Sequence, residues 1–233
     1  MLGEPIADGE FGEIGVRYDS RAVRCIFRIK DGRLQATLPP GVSRKELLSV
    51  IEAKRTALRR LFQHRQESRL TVGSIIETRC FTINVNSYGG EKLLYRLKAA
   101  CLDVFVPADA DMADPQLSER IKKGIMRFVG RSAPAYLKSR LDTAACRLGA
   151  EYRSFSVLSG RRILGKCDSR RNIKLSSYLL FYPEELIDYV ICHELAHLAF
   201  MNHGAAFHEL CNRYCGGREA ELRRRLRAFP LPL

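Results

Sequence analysis

His193-Glu194-Leu195-Ala196-His197, approached through Leu186-Ile187-Asp188-Tyr189-Val190-Ile191-Cys192, is the stretch on which the reading of this chain turns. The approach is almost wholly apolar, as in a helix buried on most sides. Tyr182-Pro183-Glu184-Glu185 supplies the start of that helix, with proline at the first helical position and acids in the first turn. Residues four apart on a helix project from nearly one face, so His193 and His197 can converge on a single metal ion. Glu194 points to the side of that pair, placed to take a proton from a water molecule rather than to bind the metal. The chain has only five histidines, and four of them (His193, His197, His203, His208) fall in this one region. Such a concentration in H-E-x-x-H order reads as the metal centre of a hydrolase rather than as a metal-free histidine cluster.

Two histidines make half a site. His203 follows His197 by the spacing of the longer motif H-E-x-x-H-x-x-G-x-x-H, although Phe200 stands at the glycine position. In an uninterrupted helix His203 would project about 240° around from His197 and miss the metal. The helix is therefore expected to stop near Met201-Asn202, where asparagine can take the left-handed capping conformation and Gly204 eases the turn. His203 is the preferred third ligand over His208. His208 then faces the substrate, donates to an oxyanion, or sits on the surface of the following helix.

Gly165-Lys166-Cys167-Asp168-Ser169, Asn172-Ile173-Lys174-Leu175-Ser176, Pro183, the run Ile187–Leu198, Asn202-His203 and Phe207 come in an order that resembles the YgjP-type zinc metallopeptidases, similar at the metal site to the SprT-like proteases. The family pattern is W-G-S-C-S, I-x-L-N, a proline, D-Y-V-V-x-H-E-L-A-H-L, N-H and F-W. Leu164 replaces its tryptophan, Lys166 its serine, Ser176 its asparagine and His208 its second aromatic. The resemblance is dense from Gly165 to Phe207. It implies a β-sheet whose edge strand borders the cleft, with the motif helix beneath and the segment 161–175 as the cleft wall. An extended peptide would add to such an edge through main-chain hydrogen bonds.

The rest of the chain reads as α+β. Val23, Cys25, Phe27 and Ile29 alternate with Arg24, Arg28 and Lys30, Asp31-Gly32 turns the chain, and Leu34, Ala36 and Leu38 form the return strand. Ser43-x-x-Glu46 is a capping box that opens a helix with Leu47, Ile51, Leu58 and Phe62 on one face. Strands are expected over 75–85 and 93–99. The polar, proline-bearing stretch 103–112 is read as a lobe boundary. Asp114-Pro115 caps a second helical region running to Leu148 and interrupted at Pro134. Strands over 152–157 and 173–180 bracket a loop at 165–167. The expected organisation is an N-terminal β-rich lobe with one helix, 1–112, and a zincin-like catalytic lobe, 113–233, with the H-E-x-x-H helix under a small sheet. No internal repeat is visible.

Composition bounds the function. No apolar run of the 233 residues approaches the roughly 20 that span a bilayer, so no membrane partner is expected. The stretch Met1-Leu2-Gly3-Glu4-Pro5 is not a basic-then-apolar secretion signal. The eight cysteines form no CxxC pair and read as mostly buried thiols of a cytoplasmic protein, with Cys167 packed under its loop rather than serving as a nucleophile. Net charge is +13. Arg161-Arg162, Lys166 and Arg170-Arg171 gather on the cleft wall that the resemblance implies, and Arg223-Arg224-Arg225 with Arg227 near the end of the chain. A basic surface of this kind aids solubility, binds a phosphate-bearing substrate, or docks on nucleic acid through backbone charge alone.

The reading these features favour is a Zn2+-dependent metallopeptidase acting on a peptide or protein. Its ligands are His193, His197 and His203, its base is Glu194, and Arg162, Lys166, Arg171 and His208 face the substrate. The alternative is a metal-dependent nucleoside triphosphate (UTP) pyrophosphatase, whose triphosphate the arginines would suit. A second alternative is a non-catalytic nucleic-acid-binding module with structural zinc. Glu194 argues against it, and only His208 or Cys211 lies near enough in sequence to close the metal's coordination sphere.

Overall fold

A computed structural model describes residues 2–30, 33–60 and 70–233, arranged in two compact units, Met1–Arg69 and Leu70–Leu233. The first unit has strands β1 (Leu2–Asp8), β2 (Gly12–Tyr18), β3 (Ile26–Lys30) and β4 (Arg33–Leu38), then helix α1 (Arg44–Ala53). The sheet order is β1-β2-β4-β3, with β2 and β4 parallel and both outer pairs antiparallel. Alternation along β2 and β4 turns Ile14, Val16, Leu34, Ala36 and Leu38 inward, where they form one core with Leu47, Ile51 and Leu58. The capping box forms as expected: the Ser43 amide donates to Glu46 Oε2 at 2.8 Å and the Glu46 amide to Ser43 Oγ at 3.3 Å. The Asp31-Gly32 turn and Phe62 lie outside the described residues.

The second unit begins with the same topology. Strands β5 (Ile75–Glu77), β6 (Thr82–Tyr88), β7 (Leu94–Lys98) and β8 (Cys101–Pro107) form a sheet ordered β5-β6-β8-β7, again antiparallel, parallel, antiparallel. Helix α2 (Pro115–Leu148) follows it, as α1 follows the first sheet. A β-β-β-β-α arrangement is thus repeated where the residues showed no repeat. The two compact units meet in sequence at Arg69/Leu70. In β8, Leu102, Val104 and Val106 are fully buried and share a core with Ile121, Ile125 and Val129 of α2, although Asp103 and Pro107 make the stretch read as a connection in sequence. Asp114 caps α2 as expected, accepting from the Gln116 and Leu117 amides, and left-handed Gly149 ends it. The helix runs unbroken through Pro134, which lies on its exposed side, while Val129, Ala133, Leu137 and Leu141 hold the opposite face in the core.

A three-stranded sheet and three helices complete the unit. Strands β9 (Ser154–Leu158), β10 (Gly165–Cys167) and β11 (Asn172–Ser176) are ordered β10-β11-β9, so the expected loop at 165–167 is an edge strand, antiparallel to β11. Asp168 shapes the β10–β11 connection by accepting from the Arg170 and Asn172 amides and from the Asn172 side chain. A 3-10 turn (Ser177–Phe181) leads into α3 (Glu184–Ala196), then α4 (Ala205–Tyr214) and α5 (Glu219–Ala228). Helix α3 packs against β10 and α2. Arg140 of α2 joins it to the second of these through two hydrogen bonds of 2.8 Å to the carboxylate oxygens of Asp188 and an ion pair with Glu184 at 3.2 Å. The fold is mixed α+β, with the motif helix against a small sheet as expected. Among the described residues no helix is long and apolar enough to cross a membrane.

Candidate metal centre

Helix α3 carries His193 and His197 one turn apart, and it stops at Ala196 rather than near Met201-Asn202. The His197 amide still reaches the His193 carbonyl at 3.3 Å, but the Leu198 and Ala199 amides bond three residues back, so the chain tightens and turns away. This earlier exit brings the Phe200 carbonyl to 3.0 Å from His197 Nδ1. With its Nδ1 proton donated there, His197 keeps a lone pair on Nε2. The returning chain then places His203 Nε2 3.1 Å from His193 Nε2.

Ligand nitrogens of His193, His197 and His203 all lie within 4.8 Å of one another, the one such His, Cys, Asp and Glu cluster among the described residues. Two nitrogens bound tetrahedrally to one ion at about 2.1 Å are about 3.4 Å apart, close to the spacing seen. Phe207 forms the floor: fully buried, its ring centre is 4.9, 4.5 and 4.7 Å from those of His193, His197 and His203. Burial, followed by the neighbouring His197 and His203, pushes His193 down to about 4, and burial lowers His197. Both rings are therefore held in the neutral form that a metal requires. The donor set fits a divalent metal ion.

Glu194 belongs to the site without belonging to the cluster. Its side chain is 5% exposed, and burial pushes its carboxyl up to about 8, partly offset by a hydrogen bond from the Cys167 amide. Oε2 is buried with no hydrogen-bond partner among the described residues. Strand β10 passes so close that a Cβ on Gly165 would stand 2.4 Å from Glu194 Oε1. Cys167 is buried, and its thiol is pushed up to about 11 by burial and then by Glu194, which makes it a packing residue rather than a nucleophile.

The other anticipated residues are placed less centrally. His208 stands beside the cluster, its ring 6.3 Å from that of His203, with Nδ1 2.8 Å from Glu219 Oε1. Lys166 is exposed on β10, and Arg162 is exposed two residues before that strand's neighbour Leu164. Arg171 has a left-handed backbone (φ 63°) and turns its guanidinium to the Glu151 carbonyl. Arg161 donates to the Leu233 carbonyl at 2.9 Å, and Arg225 is paired with Glu185 and Glu221. Part of the local positive charge is therefore spent within the fold. Sequence reasoning missed the Phe207 floor, the steric role of Gly165 and the buried Glu219. Phe207 and Gly165 had stood only as members of a family pattern, and an acid at a helix start gives no sign that it will be buried.

A family model for the YgjP-like metallopeptidase domain matches residues 23–229. No match is found among curated proteins. Solved structures that are similar include the metallopeptidase zymogen jannalysin of Methanocaldococcus jannaschii, at 21% identity and a TM-score of 0.35, covering 40% of this chain and 94% of that one. The metallopeptidase zymogen abylysin of Pyrococcus abyssi is similar at 23% identity and a TM-score of 0.36, covering 40% of this chain and 92% of that one.

Proposed function

The chain belongs to the YgjP-like metallopeptidase family, and from that premise we propose that it is a zinc-dependent peptidase in which Glu194 is the general base. The observation that carries this reading is the meeting of three histidine nitrogens with a buried, half-unsatisfied carboxylate next to an edge strand. Nitrogen donors at this spacing suit zinc, and the oxygen-rich shell that magnesium prefers is not offered by the cluster.

A zinc ion held by His193, His197 and His203 supplies Lewis-acid polarisation of the scissile carbonyl and acidifies water. The residues do the rest. The outer edge of β10 offers main-chain groups to an extended peptide, which sets the scissile bond beside Glu194. Glu194 takes a proton from the attacking water as the water oxygen bonds to the carbonyl carbon. It returns that proton to the leaving amine as the carbon–nitrogen bond breaks. The His197–Phe200 hydrogen bond fixes one ligand ring, and the Arg140–Asp188 pair ties the motif helix to α2. Glu194→Gln tests the reading: metal content and thermal stability should match the parent, while hydrolysis of a casein-like peptide falls by at least about a thousand-fold. Hydrolysis at the parent rate would refute the mechanism.

A further inference from the structure

From Arg120 to Leu141, helix α2 carries seven basic residues and no acid. Two of the seven are paired, Lys138 with Asp142 and Arg140 with Asp188, and Lys122 is half-buried. The other four, Arg120, Lys123, Arg127 and Arg131, are all exposed. Among the described residues no carboxylate forms an ion pair with any of them, Glu119 included. At 100° per residue the four fall within about 80° of one another. They lie on the side turned away from Ile121, Ile125, Val129 and Ala133, which are fully buried. The result is a straight stripe of cations about 16 Å long.

An exposed helix face normally interleaves acids with bases, because like charges four residues apart destabilise a helix. Lys123 and Arg127 are such a pair, and so are Arg127 and Arg131. Elsewhere the chain does neutralise its exposed arginines: Arg59 meets Glu10, and Arg218 and Arg225 meet Glu185 and Glu221. The stripe keeps a repulsion that a polyanion laid along it would remove. Strand β7 borders it, with Tyr95 stacked on Phe128 at 6.1 Å between ring centres and its hydroxyl donating to the Arg120 carbonyl at 3.2 Å. The Arg131 guanidinium is 6.0 Å from the centre of the Phe128 ring. Both rings are engaged within the fold, so they are not platforms for a stacked base. What the face offers is charge at regular spacing, three of the four groups being guanidiniums suited to phosphate oxygens.

We propose that this face of α2 docks on the phosphate backbone of a nucleic-acid duplex, without reading its bases, through Arg120, Lys123, Arg127 and Arg131. Over about 16 Å one strand of a duplex carries about five phosphates, enough to face all four cations. Each phosphate neutralised releases condensed counterions, so four contacts contribute about −3.6 to the slope of log affinity against log salt. The proposal is independent of the peptidase reading.

The test is fluorescence anisotropy of a labelled 20-base-pair DNA duplex with the full chain, titrated at salt concentrations from about 50 to 200 mM. The parent should bind, and lose on the order of 100-fold in affinity across that range. The variant Arg120→Gln, Lys123→Gln, Arg127→Gln, Arg131→Gln should bind at least about ten-fold more weakly at the low-salt end, with a slope shallower by about 3. Arg24→Gln, Arg28→Gln, Arg44→Gln, Lys45→Gln removes the same charge from exposed positions of the first unit and should stay within about three-fold of the parent. Arg120→Lys, Arg127→Lys, Arg131→Lys keeps the charge and should also stay within about three-fold, which separates lost contacts from a lost fold. A parent that does not bind the duplex overturns the proposal. So do equal losses in the two glutamine variants, which would make the effect one of net charge alone. Tighter binding of phosphatidylserine vesicles than of the duplex, lost in the α2 glutamine variant, would assign the face to a membrane surface instead.

Discussion

Gly165 and Glu194 are in such close contact that a side chain at 165 would require Glu194 to shift: an added Cβ would meet Oε1 at 2.4 Å, Cγ at 2.7 Å and Cδ at 2.8 Å. Edge strand and carboxylate thereby fix each other. Gly165→Ala must push the Glu194 side chain away, whereas a Cβ at 165 meets none of the three clustered histidines among its nearest atoms. The expected outcome is a protein with parent metal content and a peptidase rate lower by about 100-fold, the scale of a misplaced general base. Elemental analysis with steady-state kinetics checks it, and full activity in Gly165→Ala would mean that Glu194 is free to relax.

The metal cluster makes a sharper distinction between histidines. His203 Nε2 lies 3.1 Å from His193 Nε2, while His208 is engaged with Glu219. His203→Ala should leave two ligands and lose most of the roughly one zinc per chain that the parent is expected to hold after dialysis. His208→Ala should retain it. The opposite pattern would exchange the two histidines' roles.

The histidine cluster was legible in the sequence because helical periodicity places His193 and His197 by itself, and because His203 has few geometries left once the helix ends. The exit from the helix was harder. The early exit is accompanied by the Phe200 carbonyl accepting from the His197 ring, a side-chain-to-backbone bond that local propensity does not encode. The capping box of α1 and the Asp114 cap of α2 are local chemistry and were readable. Strand β8 was not, because Asp103 and Pro107 flank and interrupt the apolar alternation that only the sheet context reveals. The repeat of the four-stranded topology is a property of pairing order, and pairing order leaves no mark in spacing.

A stability prediction follows from the first unit. Asp8, whose side chain is 7% exposed, is held at about 2 chiefly by the Arg55 guanidinium, with further bonds from the Glu10 and Phe11 amides. The folded-state value lies below the unfolded one, so the stabilisation is fully present above about pH 4 and is lost as pH falls through 2. With Arg55 partly solvent-screened, Asp8→Asn should cost on the order of 1 kcal/mol at pH 6 and close to nothing at pH 2. Amide exchange of the β2 residues Ile14 and Val16 in the full chain, corrected for the intrinsic rate at each pH, reports the difference. An equal gap between parent and variant at both pH values would sink the assignment.

Charge on and beside strand β10 sets the last expectation. Arg162 and Lys166 are exposed and have no ion-pair partner among the described residues, in contrast to Arg171 and Arg225, which are engaged within the fold. Lys166 lies on β10, one residue from Gly165, so a peptide extended along that strand passes close to it. Each solvated charge contributes at most about 1 kcal/mol to an acidic substrate. The double variant Arg162→Ala, Lys166→Ala should therefore lower kcat/KM for a peptide with acidic residues by roughly three- to thirty-fold at low salt, and less at 0.5 M salt as screening shortens their reach. A neutral peptide of the same length should be cleaved at the parent rate by both proteins. Comparing the two peptides in both proteins at two salt concentrations decides it, and equal losses for acidic and neutral peptides would assign the pair a structural role. The same assay run with UTP separates the substrate classes. Rapid triphosphate hydrolysis by the parent that disappears in the double variant would replace the peptide reading with a nucleotide one.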